Sequence, residues 1–99
     1  MSPLPKHLRP RYRYLAVRLE SWPDLDLHRS AFQRAIEESV RGLYGDPGVA
    51  AAQPHTIRFT FSDGRGQAIV RSRRDVVTET RAGLAAVTRI NEGPIAVCV

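Results

Sequence analysis

Hydrophobic periodicity switches between two residues and about 3.6 in a set order along this 99-residue chain, and that order leaves few folds open. Over residues 11–20, Leu15, Val17 and Leu19 alternate with Tyr14, Ala16 and Arg18. Period two predicts a strand whose first set faces a core, with Tyr12, Tyr14 and Arg18 on the opposite face. Residues 21–25 read as a loop broken at Trp22-Pro23. A helix is predicted over 27–44, with Asp26 as N-cap and Phe32, Ile36, Val40 and Leu43 as an apolar stripe. Gly45, with Pro47 two residues later, is the expected stop, and Gly42 weakens the last turn.

A second strand over 56–61 places Ile57, Phe59 and Phe61 on one side and Thr56, Arg58 and Thr60 on the other. Ser62-Asp63-Gly64-Arg65-Gly66 reads as a hairpin turn into a third strand over 67–71, too short to reveal its inward face. A second helix is predicted over 73–90, with Val76, Val77, Leu84, Val87 and Ile90 on its apolar side. Ser72-Arg73-Arg74-Asp75 has the spacing of a capping box. Asn91-Glu92-Gly93-Pro94 ends that helix, and 95–99 form a fourth strand in which the single cysteine, Cys98, is expected to be buried.

The fold class is therefore α+β. The order β-α-β-β-α-β predicts a ferredoxin-like, RNA-recognition-motif-like sandwich, with two helices on one face of a four-stranded antiparallel sheet. The other face is left open. Residues 1–10, with three of the seven prolines, are expected to form a basic extended arm ahead of a single domain over 11–99.

Charge gives the first functional direction. Fifteen Lys and Arg face ten Asp and Glu, and fourteen of the fifteen are arginine, for a net charge of +5. The guanidinium fork binds phosphate in bidentate fashion and stacks on bases. A nucleic-acid partner fits this balance. On charge alone, an arginine-rich codon bias with merely solvated side chains fits as well. Two clusters sharpen the reading. Lys6, Arg9, Arg11 and Arg13 interleave with Tyr12 and Tyr14, pairing cations for phosphates with rings for bases. Arg71, Arg73 and Arg74 stand where the third strand enters the second helix, whose N-terminus attracts anions, with Asp75 in partial opposition. Arg18 and Arg58 share the open-face parity and extend the basic surface. The aromatic signatures of the common RNA-recognition motif are absent, and the third strand has no Phe or Tyr. That argues against simple sequence-specific reading of single-stranded RNA.

Other classes find little support. One cysteine excludes an internal disulfide and suits an intracellular, cytoplasmic chain. No apolar run approaches the ~20 residues that span a bilayer, and the basic N-terminus lacks the hydrophobic stretch of a signal peptide. His7, His28 and His55 are far apart and show no metal-ligand spacing. No serine sits in an elbow sequence. Asp63-Gly64-Arg65-Gly66 fits a hairpin better than a phosphate loop, and Glu37-Glu38 belong on an exposed helix face. No catalytic residue and no metal site are assigned to the chain. A ferredoxin-like phosphohydrolase stays open on fold alone.

Four stretches in order carry a family resemblance. They are Leu4-Pro5-Lys6-His7-Leu8-Arg9-Pro10-Arg11-Tyr12-Arg13-Tyr14-Leu15-Ala16, Leu43-Tyr44-Gly45-Asp46-Pro47-Gly48, Ala68-Ile69-Val70-Arg71, and Thr88-Arg89-Ile90-Asn91-Glu92-Gly93-Pro94-Ile95. The chain resembles the archaeal and eukaryotic ribonuclease P protein component 2 family, and archaeal members most. The resemblance implies a non-catalytic RNA-binding subunit that supports RNA-catalysed removal of the 5′ leader from precursor tRNA. It implies ribonuclease P RNA, ribonuclease P protein component 3 and precursor tRNA as partners, no membrane, and Mg²⁺ on the RNA rather than a cofactor on the protein. Family members continue through a Gly-Val-Ser-Gly-Thr-like segment into a C-terminal helix, which residues 11–99 are expected to lack. The rival expectation is a general structured-RNA or ribosome-associated binding protein.

Overall fold

A computed structural model describes residues 11–22, 25–91 and 93–99. The expected arm over 1–10, including Lys6 and Arg9, lies outside the described residues. Strand β1 (Tyr12–Ser21) shows the expected alternation, with Leu15, Val17 and Leu19 buried and Tyr14, Ala16 and Arg18 exposed. Helix α1 (Arg29–Ala52) follows, then β2 (His55–Ser62) and β3 (Arg65–Arg73). A 3₁₀ turn at Arg74–Val76 leads into α2 (Val77–Ala85), then β4 (Arg89–Ile90) and β5 (Gly93–Cys98). The sheet is antiparallel throughout, in the order β2-β3-β1-β5-β4.

Five strands stand where four were expected. The extra one, β4, is only two residues long and pairs Arg89 with Pro94 and Ile90 with Gly93. Its cause is an early end to α2. The helix stops at Ala85, and Val87 and Ile90 reach the core from a turn and a strand instead of a helical stripe.

Phe32, Ile36 and Val40 of α1 and Leu84 of α2 pack on Leu15, Val17, Leu19, Ala68 and Val70 of the sheet. Burying each such side chain contributes about 1.5–3 kcal/mol. The Phe32 ring lies 5.4 Å from that of Phe59. All of this core occupies one face of the sheet, and no described helix covers the other. Among the described residues no helix is long and apolar enough to cross a membrane.

Several local expectations are corrected. Gly45 does interrupt α1, at φ 75°, yet helical backbone resumes at once and runs to Ala52. Pro47 suits that restart, because its missing N–H lies where a helix start has no partner to offer. Leu43 is half exposed and outside the core. The N-cap of α1 is His28, without a side-chain cap; Asp26 instead lies 3.3 Å from the His28 ring. Ser72 is not a cap but a buried residue of β3, its hydroxyl 2.6 Å from that of Thr80. In β2 the register shifts between Thr56 and Arg58, so Ile57 bulges outward and Thr56 takes the inward position. Cys98 is exposed, because β5 turns Ile95 and Val97 inward and the alternate residues Ala96 and Cys98 outward.

The bulge is held by a polar clasp from α1. Gln33 Oε1 accepts from the Thr56 backbone N–H (2.8 Å) and hydroxyl (2.7 Å), while its Nε2 donates to the Pro54 carbonyl (2.7 Å). Arg29 donates to the Thr56 carbonyl. Gln33→Ala leaves two inward donors without an acceptor and should destabilise the fold by about 1–3 kcal/mol in urea unfolding. A second close fit lies between the helices. A Cβ added at Gly83 would sit 2.5 Å from Val40 Cγ2, and the Gly83 carbonyl accepts from Ser39 Oγ (2.6 Å). Gly83→Ala should therefore lower the unfolding midpoint, by about 1–3 kcal/mol of overpacking. That would occur although alanine is the better helix former by about 1 kcal/mol.

Candidate nucleic-acid interface

The open face is built by the strand alternation that builds the core. With Leu15, Val17 and Leu19 inward, Tyr12, Tyr14, Ala16 and Arg18 project outward from β1. With Ala68, Val70 and Ser72 inward, Gln67, Ile69, Arg71 and Arg73 project outward from β3. The bulge at Ile57 sets Arg58 and Thr60 of β2 on the same side.

Register then joins what looked like two separate basic clusters. β1 and β3 are neighbours, with Tyr12 opposite Arg73 and Tyr14 opposite Arg71. The tyrosines of the first cluster and two arginines of the second form one patch. The Arg71 guanidinium carbon lies 4.6 Å from the centre of the Tyr12 ring. Such a cation–π contact is worth about 0.5–1 kcal/mol at an exposed site. Arg71 Nε is buried and has no hydrogen-bond partner among the described residues. Tyr14 is 62% exposed. His55 on β2 pairs with Arg71 and completes a His55–Arg71–Tyr14 row across three strands.

Other expected contacts are placed differently. Arg13 sits opposite the buried Ser72, so it belongs to the helix-side face although it is exposed at the sheet's end. Arg11 lies just before β1, and its carbonyl accepts from the Arg74 N–H (2.9 Å). Arg74 opens the 3₁₀ turn, three residues before α2. Arg71 and Arg73 thus lie on the sheet and not at the helix entrance. Lys6 and Arg9 lie outside the described residues.

Among the described residues no arginine of this face forms an ion pair. The two ion pairs found among the described residues, Arg41–Asp46 and His28–Asp26, lie in or beside α1. Glu20 is the one carboxylate on the outward parity of β1, and it pairs with Arg65 at the far end from Arg71. Between the ends lies a groove of about 610 Å³, lined among others by Ala16, Arg18, Arg58, Thr60, Gln67 and Ile69. His55 and this groove were missed in the sequence. Cross-strand pairing defines both, and pairing is not written in any local motif. The described residues bring no three His, Cys, Asp or Glu side chains together as a metal site.

Residues 13–99 match the profile of the Rpp14/Pop5 family. The whole chain is 50% identical to ribonuclease P protein component 2 of Halobacterium salinarum and to that of Natronomonas pharaonis, and spans 60% and 62% of those proteins. The counterpart in Methanosphaerula palustris is 35% identical over 92 residues, which are 92% of this chain and 54% of that protein. The chain is thus shorter than two thirds of these relatives.

Proposed function

The chain belongs to the Rpp14/Pop5 family, and on that premise we propose that it is a non-catalytic RNA-binding subunit of ribonuclease P. In this reading it supports RNA-catalysed cleavage of the 5′ leader from precursor tRNA in the cytoplasm. The observation that carries the reading is the gathering of Tyr12, Tyr14, Arg18, Arg58, Arg71 and Arg73 on the sheet face that no described helix covers. The name shared by the relatives supports it.

Leaving aside the two-residue β4, the chain follows the ferredoxin-like order, and its open sheet is the surface used by RNA-recognition modules. Unpaired guanidinium groups neutralise phosphates and release counterions. Close-packed RNA strands then repel less, and the RNA can arrange its metal sites at lower salt. Mg²⁺ belongs to the RNA in this account. The partners are ribonuclease P RNA, ribonuclease P protein component 3 and, through the complex, precursor tRNA.

Reconstitution tests the proposal. Ribonuclease P RNA and protein component 3 are assayed for precursor-tRNA cleavage at moderate Mg²⁺, with and without this chain. Faster cleavage at the mature 5′ end is expected on its addition. An unchanged rate would count against a ribonuclease P role and favour a general structured-RNA or ribosome-associated protein.

A further inference from the structure

We propose that the groove on the open sheet face holds one unpaired nucleotide of a bound RNA strand. Its phosphate lies between Arg18 and Arg58, and its base lies on the floor formed by Ala16 and Ile69. This deepens the RNA-binding reading above and rests on it.

The groove offers two kinds of surface side by side. Ala16 and Ile69 are cross-strand partners and give a flat apolar floor. Thr60 and Gln67, paired on β2 and β3, add polar edges. Arg58 stands beside Ile69, and Arg18 beside Gln67 and Cys98. Their strands are separated by β3, so the two backbones are roughly 10 Å apart. Arginine side chains are long enough to reach across such a gap, and both line the groove. Among the described residues no acidic side chain lines the groove, and neither arginine forms an ion pair.

Two unpaired cations select an anion, and an apolar floor selects a planar, poorly hydrated surface. A nucleotide joins both in one ligand. The volume of about 610 Å³ falls within the ~300–1,000 Å³ of small-ligand sites. A base inside a duplex is stacked and paired, so it cannot reach the floor. The nucleotide must be unpaired. With no aromatic ring on the floor the contact is tolerant of sequence, and the exposed Tyr14, two residues from Ala16 on the same face, meets the neighbouring base.

Cys98 is the only cysteine, is exposed and lines the groove, so it reports occupancy. Its alkylation by N-ethylmaleimide is measured in the unaltered chain, with a ten-residue oligouridylate, an RNA duplex of equal length, inorganic phosphate or oligoglutamate. The oligouridylate should slow the reaction about tenfold or more when saturating, and the others should leave it nearly unchanged. In parallel, Ala16→Ile raises the groove floor with a branched aliphatic side chain, adding no ring and removing no charge. It should weaken oligouridylate binding about tenfold by excluding the base, while the salt slope stays constant. Arg18→Ala with Arg58→Ala should flatten that slope by about 0.7 for each phosphate that the pair no longer neutralises.

If the chain binds RNA while Cys98 stays fully reactive and Ala16→Ile binds as tightly, the groove assignment is wrong and the broader RNA-binding reading stands. Equal protection by phosphate, oligoglutamate or duplex would also overturn it, because charge alone would then fill the groove. If the unaltered chain binds no RNA at all, both readings fail.

Discussion

Replacing Arg71 and Arg73 together by alanine should weaken binding to structured RNA by roughly 10–100-fold near 0.15 M salt. It should also flatten the plot of log K against log salt by about 1.8 units if each arginine holds one phosphate. The reason is local. Both side chains project from β3 onto the open face, opposite Tyr14 and Tyr12. Arg71 rests on the Tyr12 ring, with no ion-pair partner among the described residues. Arg34 and Arg81 supply the control. They are exposed on α1 and α2 and are equal in formal charge. Their joint replacement removes the same net charge, yet should cost only a fewfold loss with little change in slope. Equal losses from the two pairs would mean that RNA responds to net charge and not to this face.

Phe32→Ala should be the most damaging single core change. Phe32 is fully buried between α1 and the sheet and meets Phe59. Truncating a buried phenylalanine costs about 3–5 kcal/mol, a large part of the ~5–15 kcal/mol that holds a domain of this size. The melting midpoint should fall by roughly 15–30 °C. Leu43→Ala, in the same helix, should change stability by less than about 0.5 kcal/mol, because its side chain is already 51% exposed. Thermal unfolding of the two variants compares the observed core stripe, Phe32-Ile36-Val40, with the longer one that spacing alone suggests. A large loss from Leu43→Ala would show that the helix turns its apolar side differently.

The contrast shows how far residue patterns carry. Alternation over 11–20 sorts Leu15, Val17 and Leu19 from Tyr14, Ala16 and Arg18 correctly, because a strand's period is two and one face is dry. The order of elements is equally legible. The inserted β4 is not, since two residues are too few to show a period. Neither is the bulge at Ile57. A bulge adds one residue to one strand, and no glycine or proline marks this one. It is stabilised by Gln33, over twenty residues away in sequence, so its cause is tertiary.

Helix ends fail for a related reason. Ser72 carries a capping pattern, but the pairing of Tyr12 with Arg73 extends β3 past it and buries its hydroxyl against Thr80. That same extension unites the two basic clusters. The residue types of the site were therefore legible: tyrosine and arginine in β1, and arginine at the end of β3. Their meeting on one surface was not, because register between strands whose paired residues, Tyr14–Arg71 and Tyr12–Arg73, are so distant in sequence leaves no local trace. Arg13 marks the limit. It is as basic as its neighbours, yet alternation assigns it to the other face.

The proposed function rests on recognition of ribonuclease P RNA by this face. The most direct measurement is recovery of RNA that copurifies with the tagged chain, beside the Arg71→Ala, Arg73→Ala double variant, followed by sequencing. Strong enrichment of ribonuclease P RNA over ribosomal RNA is expected with the unaltered chain, and loss of that enrichment with the variant. Ribosomal RNA recovered in proportion to its abundance, or ribonuclease P RNA retained undiminished by the variant, would contradict it.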